Sequence, residues 1–211
     1  MRSRARKDGV VSTAARPAIP AGRTLVLGGA RSGKSGWAEA EVARTVAART
    51  AAGSGGQVTY LATAPDRPED PEWAERVATH QARRPPAWRT VQTADLAAAL
   101  RAAGAEEILL VDDLGNWLTR VADAAGAWED RSALPGLRAA VTELVDAWGG
   151  TSATVVAVSN EVGSGVVPAS HSGRLFRDEI GRLNSLLAAG AERVVLVVAG
   201  LPMWLRGRDG T

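Results

Sequence analysis

Cysteine is absent from the 211 residues, which excludes a disulfide scaffold, a cysteine-ligated metal and a thiol nucleophile. Long apolar runs are missing too. No uninterrupted stretch approaches the roughly 20 residues that a membrane span needs, so no span is expected. Lysine is nearly absent: among 25 basic residues only Lys7 and Lys34 are lysines, and arginine fills every other position. Histidine occurs only as His80 and His171. The compact ammonium of lysine and the planar fork of arginine are not interchangeable. A single lysine beyond the N-terminal segment therefore marks a place where arginine does not serve.

What is present is ordinary in bulk. Hydrophobic residues make up 45% and charged residues 23%, as in soluble globular proteins, and the length allows one core without covalent staples. The net charge of +2 is unevenly spread. Residues 1–23 hold Arg2, Arg4, Arg6, Lys7, Arg16 and Arg23 against Asp8, a net of +5; the other 19 basic and 22 acidic residues leave −3. A basic tail on a slightly acidic body argues against a nucleic-acid partner. The tail, rich in Arg, Ala, Ser and Pro without apolar period, is expected to be disordered. It lacks the apolar core of a secretory signal, so the cytoplasm is the expected compartment. The expected organisation is a tail over 1–23 and a single domain over 24–211.

Short apolar runs alternate with amphipathic stretches along that body. Strands are expected at 24–28, 57–62, 88–91, 107–112, 153–159 and 193–199, with helices at 37–49, 72–83, 94–103, 114–124, 134–148 and 173–189. The strands are continuous apolar runs, the pattern of a mostly parallel sheet with helices on both faces. Seven tryptophans read as core or interface residues, with Trp88 and Trp117 as the interface candidates.

Between the first strand and the first helix lies Gly28-Gly29-Ala30-Arg31-Ser32-Gly33-Lys34-Ser35, a match to G-x-x-x-x-G-K-[ST] in the context that motif requires. Its glycines let the backbone curl so that N–H groups point at phosphate oxygens, and the helix N-terminus favours the same anion. Lys34 is a point charge that reaches the β- and γ-phosphates, and Ser35 offers a hydroxyl to Mg²⁺. Asp112 ends an apolar strand, where a carboxylate approaches the metal of a bound nucleotide. Asp113 beside it is equally a helix N-cap. With this loop the sheet becomes P-loop NTPase-like, of the RecA-like kind.

The loop alone suits a kinase of any small metabolite, a DNA-dependent ATPase or a GTP switch. The acidic body disfavours the second, and the absence of an Asn-Lys-x-Asp guanine motif disfavours the third. His80 sits at the end of an expected helix, followed by Arg83 and Arg84. These are either a solvated basic face or an imidazole beside an anion-holding pair, as nucleophilic attack on phosphorus needs. His171 precedes a helix and reads as capping-loop polarity. Asn160 and Glu161 follow a strand end, where α/β sheets place ligands.

Further stretches make the chain resemble a known family. Beside the loop stand Tyr60-Leu-Ala-Thr63, His80 with Arg84-Pro85, Trp88-Arg-Thr90, Leu109-Leu-Val-Asp112 and Trp117-Leu-Thr119. Ser159-Asn-Glu-Val-Gly163, Gly165-Val-Val-Pro168, Phe176-Arg-Asp178, Gly181 and Asn184 follow. In this order they resemble the bifunctional adenosylcobinamide kinase/adenosylcobinamide-phosphate guanylyltransferases of cobalamin biosynthesis, over residues 24 to 205. The resemblance implies phosphorylation of adenosylcobinamide with ATP or GTP, then transfer of GMP from GTP to that phosphate through a guanylylated histidine, which maps onto His80. It implies nucleotide contacts at residues 28–35, Thr63, Gln81, Arg83, Arg84, Gln92 and Asp112, with Mg²⁺ held near Ser35 and Asp112. It also implies a homo-oligomer. Asn160 and Glu161, just past a strand end, are then either the lining of the cobinamide side or a plain polar exit from the strand. Two departures stand out. Gln92 replaces the family's usual Glu, which removes a carboxylate from that contact, and the loop over 65–73 is richer in proline than is typical.

Overall fold

The first apolar run of the sequence becomes a central strand. The computed structural model describes residues 21–65, 69, 75, 78 and 84–207. In it β1 (Arg23–Gly28) pairs in parallel with β5 (Thr154–Asn160) on one side and β6 (Arg193–Val198) on the other. A strand bonded on both edges and covered on both faces has no solvent side, so Leu25, Val26 and Leu27 follow one another without polar alternation. β2 (Val58–Ala62), β3 (Arg89–Gln92), β4 (Ile108–Asp112) and β7 (Leu201–Arg206) complete a seven-stranded sheet of order β3-β2-β4-β5-β1-β6-β7. All pairings are parallel except β6 with β7.

Period-two alternation along these strands divides the core in two. Leu25, Leu27, Leu61, Leu109, Val111, Val155 and Ala157 pack on one face with α2 (Leu96–Ala102), α3 (Leu114–Ala125), α4 (Leu134–Gly150) and α5 (His171–Ala189). Val26, Val58, Tyr60, Ile108, Leu110, Val156, Val158, Val195 and Val197 pack on the other with Trp37, Ala38 and Val42 of α1 (Lys34–Ala51). Helices thus cover both faces, but unequally among the described residues: four on one side and α1 on the other. Trp88 and Trp204 pack at the margins of the α1 face, Trp204 edge-on to Trp37 with ring centroids 6.0 Å apart.

Short polar side chains set the helix starts. Asp95 accepts from the Ala98 amide at 2.9 Å, Asp113 from Asn116 at 2.7 Å and Ser170 from Gly173 at 3.1 Å, each satisfying an amide that the first turn leaves unpaired. Parallel register then brings the strand ends together. Gln92, Ala62 and Asp112 form one row across β3, β2 and β4, and Gly28 lies opposite Asn160.

Several expectations change here. The body begins earlier than residue 24, because Arg23 opens β1 and the Gly22 carbonyl accepts from the Val155 amide; residues 1–20 of the expected tail lie outside the described residues. The helix expected over 72–83 lies outside them almost entirely. β7 was not anticipated. It is an antiparallel edge strand whose Pro202 interrupts a short apolar run and argues against a strand from sequence alone. The turn into it is Ala199-Gly200, both left-handed (φ 50° and 77°), the two-residue hairpin geometry. Trp117 is no interface residue: it is buried within the chain, its indole N–H donating to the Ala94 carbonyl at 2.9 Å.

Arg23 also ties the start of β1 to the turn between α5 and β6. Its guanidinium grips Glu192 through Nη2–Oε1 at 2.5 Å and Nε–Oε2 at 3.2 Å, and its own amide donates to Oε2. Those hydrogen bonds pull the Glu192 carboxyl from 4.5 down to about 2. A depressed carboxyl pKa adds stability above the unfolded value and loses it as pH falls toward the folded one. The carboxylate is substantially exposed, so its contribution is about 1 kcal/mol, or ~2–4 °C in a chain of this size. Glu192→Gln is expected to melt lower than the parent by that margin at pH 7, with the gap closing between pH 4.5 and pH 2. A gap that persists to pH 2 contradicts this assignment; melting curves across pH measure it.

Candidate nucleotide site

At the head of β1 the chain turns through Gly28–Gly33 and enters α1, which begins at Lys34, three residues before the apolar pattern suggested. Left-handed backbone at Arg31 (φ 55°) and Gly33 (φ 87°) bends this loop, the conformation that turns successive N–H groups toward one concavity. The loop is braced from outside. The Gly200 amide of the β6–β7 turn donates to the Ser32 carbonyl at 2.8 Å, and the Glu161 amide donates to the Gly28 carbonyl at 3.0 Å. A side chain at Gly33 would come within 3.1 Å of the Gly200 Cα. The hairpin that the sequence reading missed therefore supports the motif that it found.

Lys34 is 8% exposed, and its Nζ lies 3.4 Å from the Gly29 carbonyl, curled back over the loop. Ser35, in the first helical turn, donates from Oγ to Asp112 Oδ1 at 3.1 Å. The other oxygen of Asp112 accepts from the Tyr60 hydroxyl at 2.6 Å. Tyr60 is 2% exposed; burial first, then the Asp112 charge and the hydrogen bond to it, raise its phenol well above the ordinary range. Asp113 is set apart from Asp112 by use. Its carboxylate caps α3, and burial together with the Asp112 charge pushes its pKa up to about 6, against the Asn116 amide and Lys34.

The remaining expected residues fall into three groups. Gly28, Gly29, Ala30, Arg31, Ser32, Gly33, Lys34, Ser35 and Asp112 gather at the C-terminal edge of the sheet, with Gln92 in the same strand-end row as Asp112. Gln92 Nε2 donates to the Ala64 carbonyl at 2.9 Å. Thr63 and Arg84 are placed differently from the contacts expected of them. Thr63 is fully buried, its hydroxyl donating to the Asp113 carbonyl at 2.7 Å, so it braces the turn after β4. Arg84 lies 3.3 Å above the centre of the Tyr60 ring and 3.9 Å from Glu39 of α1. With its side chain 9% exposed it is no solvated basic face. His80, Gln81 and Arg83 lie outside the described residues.

On the far side of the edge, the Asn160 carbonyl accepts from Asn184 at 3.0 Å, and its side chain fills the space where Gly115 lacks a Cβ. Glu161 Oε1 accepts from the Gly163 amide at 2.6 Å. His171 is the exposed first residue of α5, with Ser170 as the cap. Sequence reasoning gave no role of their own to Tyr60, Glu39 and Gly200. The one available signal was the only tyrosine of the chain, standing in an otherwise apolar strand.

The family model described as cobinamide kinase / cobinamide phosphate guanyltransferase matches residues 24–205, nearly the whole body. The chain belongs to this family. The bifunctional adenosylcobalamin biosynthesis protein CobP of Pseudomonas aeruginosa is 44% identical over 187 residues, covering 88% of this chain and 98% of that relative. The CobU proteins of Escherichia coli and Salmonella typhimurium are 37% and 35% identical, each covering 84% of this chain and 96% of the relative. Among solved structures, the P4 protein from bacteriophage phi6 in complex with ADP has a TM-score of 0.41 at 17% identity, covering 88% of this chain and 54% of that one. This family member is accordingly a transferase of cobalamin biosynthesis with both activities, cobinamide kinase and cobinamide phosphate guanylyltransferase, on a nucleotide-binding P-loop fold.

The bracing of the loop makes an unequal demand on its two leading glycines. A methyl group at Gly28 would collide with Ser32 Oγ and lie 2.9 Å from the Val197 carbonyl, whereas at Gly29 it meets nothing within 4 Å. Gly28→Ala is expected to weaken GTP binding at least ~10-fold, the effect of displacing the loop by about 1.4 kcal/mol. Gly29→Ala is expected to stay within about threefold of the parent. Calorimetric titration with GTP distinguishes them, and equal effects contradict this packing.

Proposed function

We propose that this chain phosphorylates the aminopropanol hydroxyl of adenosylcobinamide with ATP or GTP, and then transfers GMP from GTP to the new phosphate through a guanylylated His80. The observation that carries this reading is the Ser35–Asp112 pair at the sheet edge beside a buried Lys34. It supplies one nucleotide site whose phosphates both reactions need. The site's donors are hard oxygens, a hydroxyl and a carboxylate in contact at 3.1 Å. Mg²⁺ typically takes one or two protein oxygens together with substrate phosphates, so this donor set fits. Ser35 and Asp112 are the residues that would hold it, Asp112 through water. When bound, the ion would neutralise charge on the phosphate oxygens and on the departing group.

In the first reaction the loop amides and Lys34 hold the triphosphate in line with the acceptor hydroxyl. The hydroxyl oxygen forms a bond to the γ-phosphorus and releases its proton to water, the bond from that phosphorus to the β–γ bridging oxygen breaks, and nucleoside diphosphate leaves. In the second, neutral His80 attacks the α-phosphorus of GTP and pyrophosphate leaves. The phosphate oxygen of adenosylcobinamide phosphate then displaces the imidazole, giving adenosylcobinamide-GDP. Two steps replace one difficult displacement by a weakly nucleophilic phosphate monoester. Asn160 pairs with Gly28 across the strand edge and the Glu161 amide bonds the Gly28 carbonyl, which supports reading both as the corrinoid side. A homo-oligomer in the cytoplasm belongs to the same reading. Leu201, Met203 and Leu205, exposed on the β7 edge, support assembly, and none of the described helices is long and apolar enough to cross a membrane.

GTP labelled at the α-phosphorus tests the covalent step. Label retained on the protein should be acid-labile and base-stable, and label at the γ-phosphorus should not be retained. His80→Ala should lose both the label and GMP transfer, the latter by at least ~10²-fold, while the kinase step survives better because it needs no enzyme nucleophile. GMP transfer that persists in His80→Ala contradicts the covalent route.

A further inference from the structure

The buried tyrosine behind Asp112 is used by neither reaction as written. Tyr60 sits in β2, one strand away from β4, and its ring belongs to the apolar face packed on α1. Its hydroxyl nevertheless reaches Asp112 Oδ2 at 2.6 Å, while Ser35 holds Oδ1 at 3.1 Å. An ionised carboxylate only accepts, so both hydroxyls donate. The carboxylate plane is thereby fixed from two directions, by α1 and by β2. Ser35 has a single proton and gives it to Asp112, which leaves the lone pairs of its oxygen to face a cation. The Tyr60 ring is in turn held by the Arg84 guanidinium stacked 3.3 Å above its centre, itself facing Glu39 of α1.

We propose that Tyr60 is a positioning residue for the nucleotide-linked cation: it sets the orientation of the Asp112 carboxylate, and Arg84 holds Tyr60 in place to do so. This rests on the reading of Asp112 and Ser35 as the cation's residues. Tyr60 is 2% exposed, so it offers no surface to nucleotide or acceptor. Its loss therefore acts on how strongly Mg²⁺ assists nucleotide binding rather than on nucleotide binding itself.

Calorimetric titration of the full chain with GTP, once with Mg²⁺ and once with EDTA, reads this directly. Tyr60→Phe keeps the ring on which Arg84 stacks and removes only the hydroxyl, so the core packing is retained. It should weaken GTP binding with Mg²⁺ about 10-fold, the lower end of what loss of an outer-shell partner costs a metal site. Binding in EDTA should stay within about twofold, since the phosphate contacts are untouched. Arg84→Lys, which keeps the charge and loses the planar stack, should shift the Mg²⁺ value in the same direction by less. Asp112→Asn should abolish the Mg²⁺ advantage, and adding Tyr60→Phe to it should change nothing further. Equal weakening with and without Mg²⁺ in Tyr60→Phe, or no weakening, overturns the positioning role while leaving Asp112 as it stands. A Mg²⁺ advantage that survives Asp112→Asn overturns the underlying reading of Asp112, and the positioning role with it.

Discussion

The Ser35 hydroxyl and the Asp112 carboxylate come from positions 77 residues apart and meet at 3.1 Å. Most of the fold is arranged so that they can. Ser35 is placed by the turn from β1 into α1, Asp112 by the end of β4, and β5 lies between those two strands. Bringing the two together requires three parallel strands in fixed register, with apolar side chains on both faces that leave no alternative slip. Residue by residue, Leu25 lies opposite Ala157 and Leu109 opposite Val155. A slip of one residue would turn each of these buried side chains to the wrong layer. The chemistry at the edge thus depends on hydrophobic register well below it.

The polar shell around that contact is graded by exposure. Asp112 has both oxygens occupied by hydroxyl donors, and the neighbouring Asp113 spends its charge on the first turn of α3. Two adjacent carboxylates in a half-buried place repel one another. Burial and the Asp112 charge together push Asp113 up to about 6. Thr63 closes the group from beneath by donating to the Asp113 carbonyl, and the Arg120 guanidinium donates to the Thr63 carbonyl at 3.1 Å. The turn between β4 and α3 is thereby held by side chains from β2's exit and from α3 itself.

The parts of this arrangement that were legible in the sequence are those with a local signature. Continuous apolar runs marked the parallel strands, and the spacing from Gly28 to Ser35, with its lone lysine, marked the phosphate loop. Asp112 stood out because it ends such a run. Other parts depend on contacts that no local pattern encodes. Tyr60 looks like one more buried strand residue until Asp112 is seen opposite its hydroxyl. Arg84 looks like solvated charge until its guanidinium is found on the Tyr60 ring. β7 is a short apolar run at a sheet edge, but Pro202 stands inside it and lowers its reading as a strand. The left-handed Ala199 that starts its turn carries no glycine signal.

In the proposed mechanism one nucleotide site, built around Lys34, serves both phosphoryl and guanylyl transfer. Steady-state assay of both reactions in Lys34→Arg tests it most directly. Arginine keeps the charge but brings a planar fork into a loop where the Lys34 ammonium lies 3.4 Å from the Gly29 carbonyl. Both reactions are expected to fall together, each by about 10²-fold or more, the loss expected when a preorganised charge contact is removed. Near-parent activity in both reactions, or loss of one with the other intact, would contradict it.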